Sequence, residues 1–244
     1  MTRPVRRCRW FLAAALLGVA ASLVTAVPAL AGTATLNQPE SPNAGAIDST
    51  YRAVLGVTVT IFVLVGGWLV YTAIRFRERP GRTYPTPPQT RGSNRLELAW
   101  TLVPILILVG LSAFTFYKLP TVEDVPKNAM QVSVLAQQFG WNFTYPNGKS
   151  PTAANTLVVP VDTPVHLNMR SKDVIHDFWV EQLAQKSDIF PNRTTHTWFE
   201  ARHTGIYEGQ CAEFCGSGHA TMTITVRVIS HADFARFMKS KSVA

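Results

Sequence analysis

The sequence predicts a two-helix membrane hairpin joined to an all-β domain. Three observations carry that prediction. Residues 53–74 and 98–117 are uncharged apolar runs of 22 and 20 residues. The segment between them is strongly basic. Residues 120–230 alternate apolar and polar side chains in short runs punctuated by Gly and Pro.

Each apolar run is long enough to cross a hydrocarbon core of about 30 Å at about 1.5 Å per residue. A buried helix of a soluble protein is the alternative, and two such runs close together behind an apolar leader disfavour it. Gly66, Gly67 and Pro104 are tolerable inside membrane helices. The expected hairpin covers residues 51–118, with helices at about 52–75 and 96–117. Its loop, 76–95, holds Arg77, Arg79, Arg82, Arg91 and Arg95 against Glu78 alone, and Arg75 adjoins it. Positive loops stay in the cytoplasm, so both ends of the hairpin are expected outside. Pro85, Pro87 and Pro88 make the loop an extended connector.

Residues 1–31 read as a secretory signal. Arg3, Arg6, Arg7 and Arg9 precede an apolar stretch from Trp10 to Val27, and Ala29-Leu30-Ala31 is a small-x-small cleavage site. A retained anchor is the alternative. Residues 32–50 are rich in Pro, Asn, Ser and Gly and read as an exposed lead-in.

The β domain is expected over residues 119–230. Alternation is clear in Met130–Val134, Phe139–Tyr145, Thr163–Leu167 and Thr221–Val228. In the second run, period two places Phe139, Trp141, Phe143 and Tyr145 on one face. Residues 231–244 carry Phe234, Phe237 and Met238 at helical spacing, a short terminal helix expected to pack.

The formal net charge is +8, but the first 118 residues hold 12 Lys/Arg against 4 Asp/Glu and the remainder 11 against 11. The basic excess therefore belongs to leader and hairpin. No basic stripe interleaved with aromatics appears in the β half, which argues against a nucleic-acid partner.

Chemistry concentrates in Cys211-Ala-Glu213-Phe-Cys215-Gly-Ser-Gly-His219-Ala-Thr-Met222. Soft sulfur with imidazole selects copper, zinc or iron–sulfur clusters. His176 adds a distant imidazole. His166, His196, His203 and His231 lack a ligand-like context and read as ordinary histidines. Four readings of the cluster compete. A Cys211–Cys215 disulfide leaves His219, Met222 and His176 unexplained. A two-Cys, two-His zinc site leaves Met222 unexplained. Mononuclear electron-transfer copper uses His176, Cys215, His219 and Met222 but strands Cys211 as a free thiolate. Two coppers bridged by both thiolates use every donor, with the Glu213 carbonyl as the remaining weak ligand.

With the hairpin, the aromatic strand, the His176 segment and this loop together, the chain resembles subunit II of a haem–copper cytochrome c oxidase. The resemblance implies a cupredoxin-like Greek-key barrel and a binuclear copper A centre. Its ligands would be His176, Cys211, the Glu213 carbonyl, Cys215, His219 and Met222. The Glu213 carboxylate would face a magnesium ion shared with subunit I. Glu97, which by position alone reads as a solvated helix-end carboxylate, matches the family's glutamate at the mouth of a proton-uptake path. Phe139 holds the place of the family's first aromatic-strand tryptophan, where electrons enter from cytochrome c, and Trp141 matches the second. Glu181 and Asn192 stand where the family has Pro and Gly.

The implied activity is electron entry for O₂ reduction to water at haem in subunit I, coupled to proton translocation. Subunit III and membrane lipid are further implied partners. The implied location is a prokaryotic plasma membrane, with the copper domain on its extracytoplasmic side. A copper A-containing nitric oxide reductase small subunit and a copper-delivery protein are the alternatives.

Overall fold

The computed structural model describes residues 38–78, 81, 89, 92–151 and 153–240. The expected signal at 1–31 lies outside them. The described residues form two compact units, one from residue 50 to 115, the other comprising 38–49 and 116–240.

Helix α1 runs Pro42–Arg75 and α2 runs Asn94–Glu123. Their mean hydropathies reach 2.3 and 2.1, long and apolar enough to cross a membrane. Large apolar side chains such as Phe62, Leu64, Trp68 and Leu106 stand exposed along them.

Both helices extend beyond their expected bounds. Helix α1 begins ten residues earlier than expected, so 42–50 is helical and only 38–41 is left of the described lead-in. Ser41 precedes Pro42, whose missing N–H costs nothing in a first turn, and the Ser41 carbonyl accepts from the Gly45 amide at 2.9 Å. The stretch is not an exposed leader either. Ser41, Asn43 and Asp48 are buried. Glu40 donates its amide to the Gln182 carbonyl at 2.8 Å and accepts from the Arg202 amide at 3.0 Å. Asn43 donates its side-chain amide to the Trp198 carbonyl. Helix α2 continues past 117 to Glu123, where the Trp198 indole N–H donates to the Val122 carbonyl at 3.0 Å.

Among the described residues the β unit has nine strands. They are β1 Met130–Gln137, β2 Gly140–Thr144, β3 Thr156–Pro160, β4 Val165–Ser171, β5 His176–Val180, β6 Ala184–Ile189, β7 Thr195–Phe199, β8 Gly205–Cys211 and β9 Thr223–Ile229. One sheet has the order β2-β1-β4-β7, the other β3-β9-β8-β5-β6. β1 pairs with β4 and β3 with β9 in parallel, and every other pair is antiparallel. This is a cupredoxin-like Greek-key arrangement of two half-barrels.

Inward-facing positions of both sheets close the core: Val132, Val134, Leu167, Met169, Phe178, Ile224 and Val226 are all buried. The final helix, α3 (His231–Lys239), is capped by Ser230, whose hydroxyl accepts from the Asp233 amide at 3.1 Å. Its Phe234 and Phe237 pack edgewise on Tyr145 at 6.1 and 5.8 Å.

One expectation about the aromatic strand is corrected. Trp141, Phe143 and Tyr145 share the buried face, but Phe139 does not. Gln137 pairs with Gly140, which leaves Gln138 and Phe139 as a two-residue turn between β1 and β2. The turn breaks the period of two and swings the Phe139 ring out of the core, 38% exposed.

Candidate metal centre

The cluster forms where the ends of β5 and β8 meet the β8–β9 connection. His176 opens β5 and Cys211 closes β8. Cys215 follows in the loop, His219 opens a single 3₁₀ turn (His219–Thr221), and Met222 ends it. The Cys211 amide donates to the Met222 carbonyl at 2.9 Å, which ties the two ends of the loop together.

The donor atoms converge in two sets. Cys211 Sγ lies 3.8 Å from His176 Nδ1 and 3.2 Å from the Glu213 carbonyl oxygen. Cys215 Sγ lies 3.7 Å from His219 Nδ1 and 3.7 Å from Met222 Sδ. The sulfurs are 3.9 Å apart, and both cysteines are free thiols. Cys211, Cys215, His176 and Met222 are buried, and His219 is half-buried. Among the described residues, the ligand atoms of His176, Cys211 and Cys215 all lie within 4.8 Å of one another. Soft donors held this close and shielded from water fit a thiophilic metal.

Asp173, which sequence reasoning passed over, fixes the first imidazole. Its Oδ1 lies 2.8 Å from His176 Nε2, so Nε2 carries the proton and Nδ1 turns its lone pair toward Cys211. Its Oδ2 accepts from the Gln138 amide at 2.7 Å. Gln138 in turn donates its side-chain amide to the Cys215 carbonyl at 2.6 Å. Burial pushes the Asp173 carboxyl up, but hydrogen bonds from Gln138, His176 and Val174 outweigh it and hold it at about 2. The signal available in the sequence was a carboxylate three residues before the histidine.

Phe139 lies flat over the loop glycines. A Cβ on Gly218 would stand 2.5 Å from Phe139 Cδ2, and one on Gly216 would stand 2.9 Å from Gln138 Nε2. Gly216 also has φ +133°, a conformation that disfavours side chains. Trp141 stands edge-on to His176 at 6.2 Å and to Phe178 at 5.8 Å.

Two acids complete the surroundings. Asp177, buried beside His176, faces Asp188 across the β5–β6 pair. Burial, then the Asp188 carboxylate, pushes it up to about 7. The Glu213 side chain is exposed although its carbonyl faces Cys211. Glu97, in the other unit, is exposed in the first turn of α2, where the helix dipole favours a carboxylate.

A β-barrel that gathers two thiols, two imidazoles and a thioether, in a chain with two long apolar helices, defines a membrane-associated metalloprotein. Comparison with known proteins gives the family. Residues 147–229 match the family described as cytochrome C oxidase subunit II, periplasmic domain, and residues 29–118 match cytochrome C oxidase subunit II, transmembrane domain. The cytochrome c oxidase subunit 2 of Cereibacter sphaeroides is 31% identical over 223 residues, 76% of this chain and 72% of that one. The probable cytochrome c oxidase subunit 2 of Rickettsia bellii is 29% identical over 84% of this chain and 82% of that one. The solved periplasmic domain of subunit II of cytochrome oxidase (CoxB) of Bradyrhizobium japonicum is 32% identical, covers 47% of this chain and 94% of that one, and has a TM-score of 0.44.

The chain therefore belongs to the cytochrome c oxidase subunit II family, the second subunit of a haem–copper oxidase. It is a prokaryotic membrane protein that binds copper and assembles with other oxidase subunits. These matches do not favour the nitric oxide reductase and copper-delivery alternatives.

Proposed function

We propose that the chain is the electron-entry subunit and holds a binuclear copper A centre outside the membrane. The observation behind this reading is the pairing of donors about two sulfurs. Each thiol faces its own imidazole and its own weak donor. Cys211, Cys215, His176, His219, Met222 and the Glu213 carbonyl would together hold the pair, two thiolates with two imidazoles and two weak donors. When bound, such a pair takes up and releases one electron at a time.

The protein's own residues make that exchange easy. β5 and β8 hold His176 and Cys211 on a rigid frame, so little rearrangement accompanies a change of charge. Burial of both sulfurs keeps water away. Asp173 keeps the His176 lone pair directed inward.

Phe139 is the proposed outer contact for cytochrome c, and Trp141 the inner aromatic beside His176. Electrons pass on to haem in subunit I, where O₂ is reduced to water with coupled proton translocation. Glu97 is the proposed entrance of a proton-uptake path. The Glu213 carboxylate is the proposed magnesium ligand at the subunit I contact. Both helices cross the plasma membrane with the basic loop inside and the copper domain outside, and subunit III completes the assembly.

Copper content of the loaded, detergent-solubilised chain tests the centre. The expected result is two thiolate-bound coppers per chain, with loss of the pair in Cys211→Ser. One copper per chain, or a pair that survives Cys211→Ser, contradicts the bridging role.

A further inference from the structure

We propose that His166 and His196 form a second transition-metal site, built of two imidazoles on the outer face of the four-stranded sheet. Register puts them together. His166 on β4 stands opposite Trp198 on β7, and Asn168 stands opposite His196. The two histidines are therefore diagonal neighbours on one face, within reach of each other across the strand pair. Their ring centres are 5.5 Å apart with planes at 84°.

That spacing fits a shared ion. Imidazole nitrogen binds zinc or copper at about 2.0–2.1 Å, so two rings on one ion at tetrahedral to trigonal angles have centres about 5–5.5 Å apart. The electronic state also fits. Nε2 of His166 is buried and has no hydrogen-bond partner. A buried imidazole nitrogen with its bonding capacity unused is an uncommon arrangement in a folded protein. Burial, then the neighbouring His196, lowers the His166 pKa, which favours the neutral form that ligates metals.

His196 is exposed, so ring rotation brings its lone pair to an ion without disturbing the core. The flanking Gln131 and Asn168 are neutral amides bonded to one another at 2.9 Å and bring no competing charge. With nitrogen donors and no sulfur, the site takes borderline divalent ions, Cu(II) most tightly, with Ni(II) and Zn(II) behind it. It is distinct in donors and position from the centre at His176, Cys211 and Cys215. An ion held there links β4 to β7, two strands that the sheet already pairs.

The test adds Cu(II) to the copper-loaded, detergent-solubilised full-length chain and follows it by EPR. The expected result is one saturable equivalent beyond the sulfur-ligated copper, with hyperfine structure from two nitrogens. His196→Gln, at an exposed position, is expected to lower that affinity at least tenfold and leave the copper–thiolate absorption unchanged. His166→Gln should do the same, and Zn(II) should displace the signal. Absence of a saturable equivalent, or one that persists undiminished in both variants, overturns the site. Both outcomes are read on a signal separate from the sulfur-ligated copper, so failure here leaves the electron-entry reading standing.

Discussion

Oδ1 of Asp173 lies 2.8 Å from Nε2 of His176, and Oδ2 of the same carboxylate accepts from the Gln138 amide at 2.7 Å. One side chain thus sets the tautomer of the histidine proposed as a copper ligand and anchors the turn that carries Phe139. Loss of a carboxylate that orients a ligating histidine typically costs about 10–100-fold in metal affinity. Asp173→Ala is expected to weaken copper binding by that factor, measured by competition with a chelator of known affinity. An unchanged affinity would show that the sheet alone orients His176.

The cysteine loop and the Phe139 ring are expected to be energetically coupled. Gly218→Ala forces a methyl to 2.5 Å from Phe139 Cδ2, and overpacking of this kind costs about 1–3 kcal/mol. In a Phe139→Ala background the clash disappears, so the same substitution should cost much less. Chemical denaturation of the four proteins in a double-mutant cycle measures the coupling. Additive effects would mean that the ring does not rest on the loop in solution.

Copper uptake should strengthen with pH. Burial, then the adjacent Cys211, pushes the Cys215 thiol up to about 11. The apo thiol is therefore protonated at neutral pH and must release its proton to bind. Below that value affinity should rise by about tenfold per pH unit for each proton displaced. Chelator competition across a pH series checks the slope. A flat profile would mean that the thiols are already ionised in the apo protein.

Asp177 predicts a pH effect on stability. Its folded value, about 7, exceeds its ordinary 3.8. The proton therefore favours the folded state, fully so below 3.8, and that contribution is lost as pH rises through 7. Asp177→Asn keeps the neutral shape at every pH. The difference in melting temperature between the copper-free variant and the copper-free parent should grow in the variant's favour over that window and level off above it. A constant difference would contradict the assignment.

Much of this was legible in the sequence. Hydropathy revealed both helices because two uncharged runs of 22 and 20 residues stand close together, each long enough to cross a membrane. The sulfur loop revealed itself because its donors sit within twelve residues of one another. Three features were not legible, each because a tertiary contact decided it. Residues 42–50 read as a loop by composition, yet Ser41 and Asn43 find partners at Glu200 and Trp198 and the helix starts there. Phe139 fitted a strand period, but the β1–β2 turn falls on it. His166 and His196 looked ordinary one at a time, and only strand register brings them together.

The central claim is that two coppers share one electron between Cys211 and Cys215. EPR of the oxidised, copper-loaded full-length chain tests it most directly. The account predicts a mixed-valence signal whose hyperfine structure comes from two equivalent copper nuclei. A signal split by a single copper nucleus, with the spectrum of a mononuclear thiolate site, would contradict it.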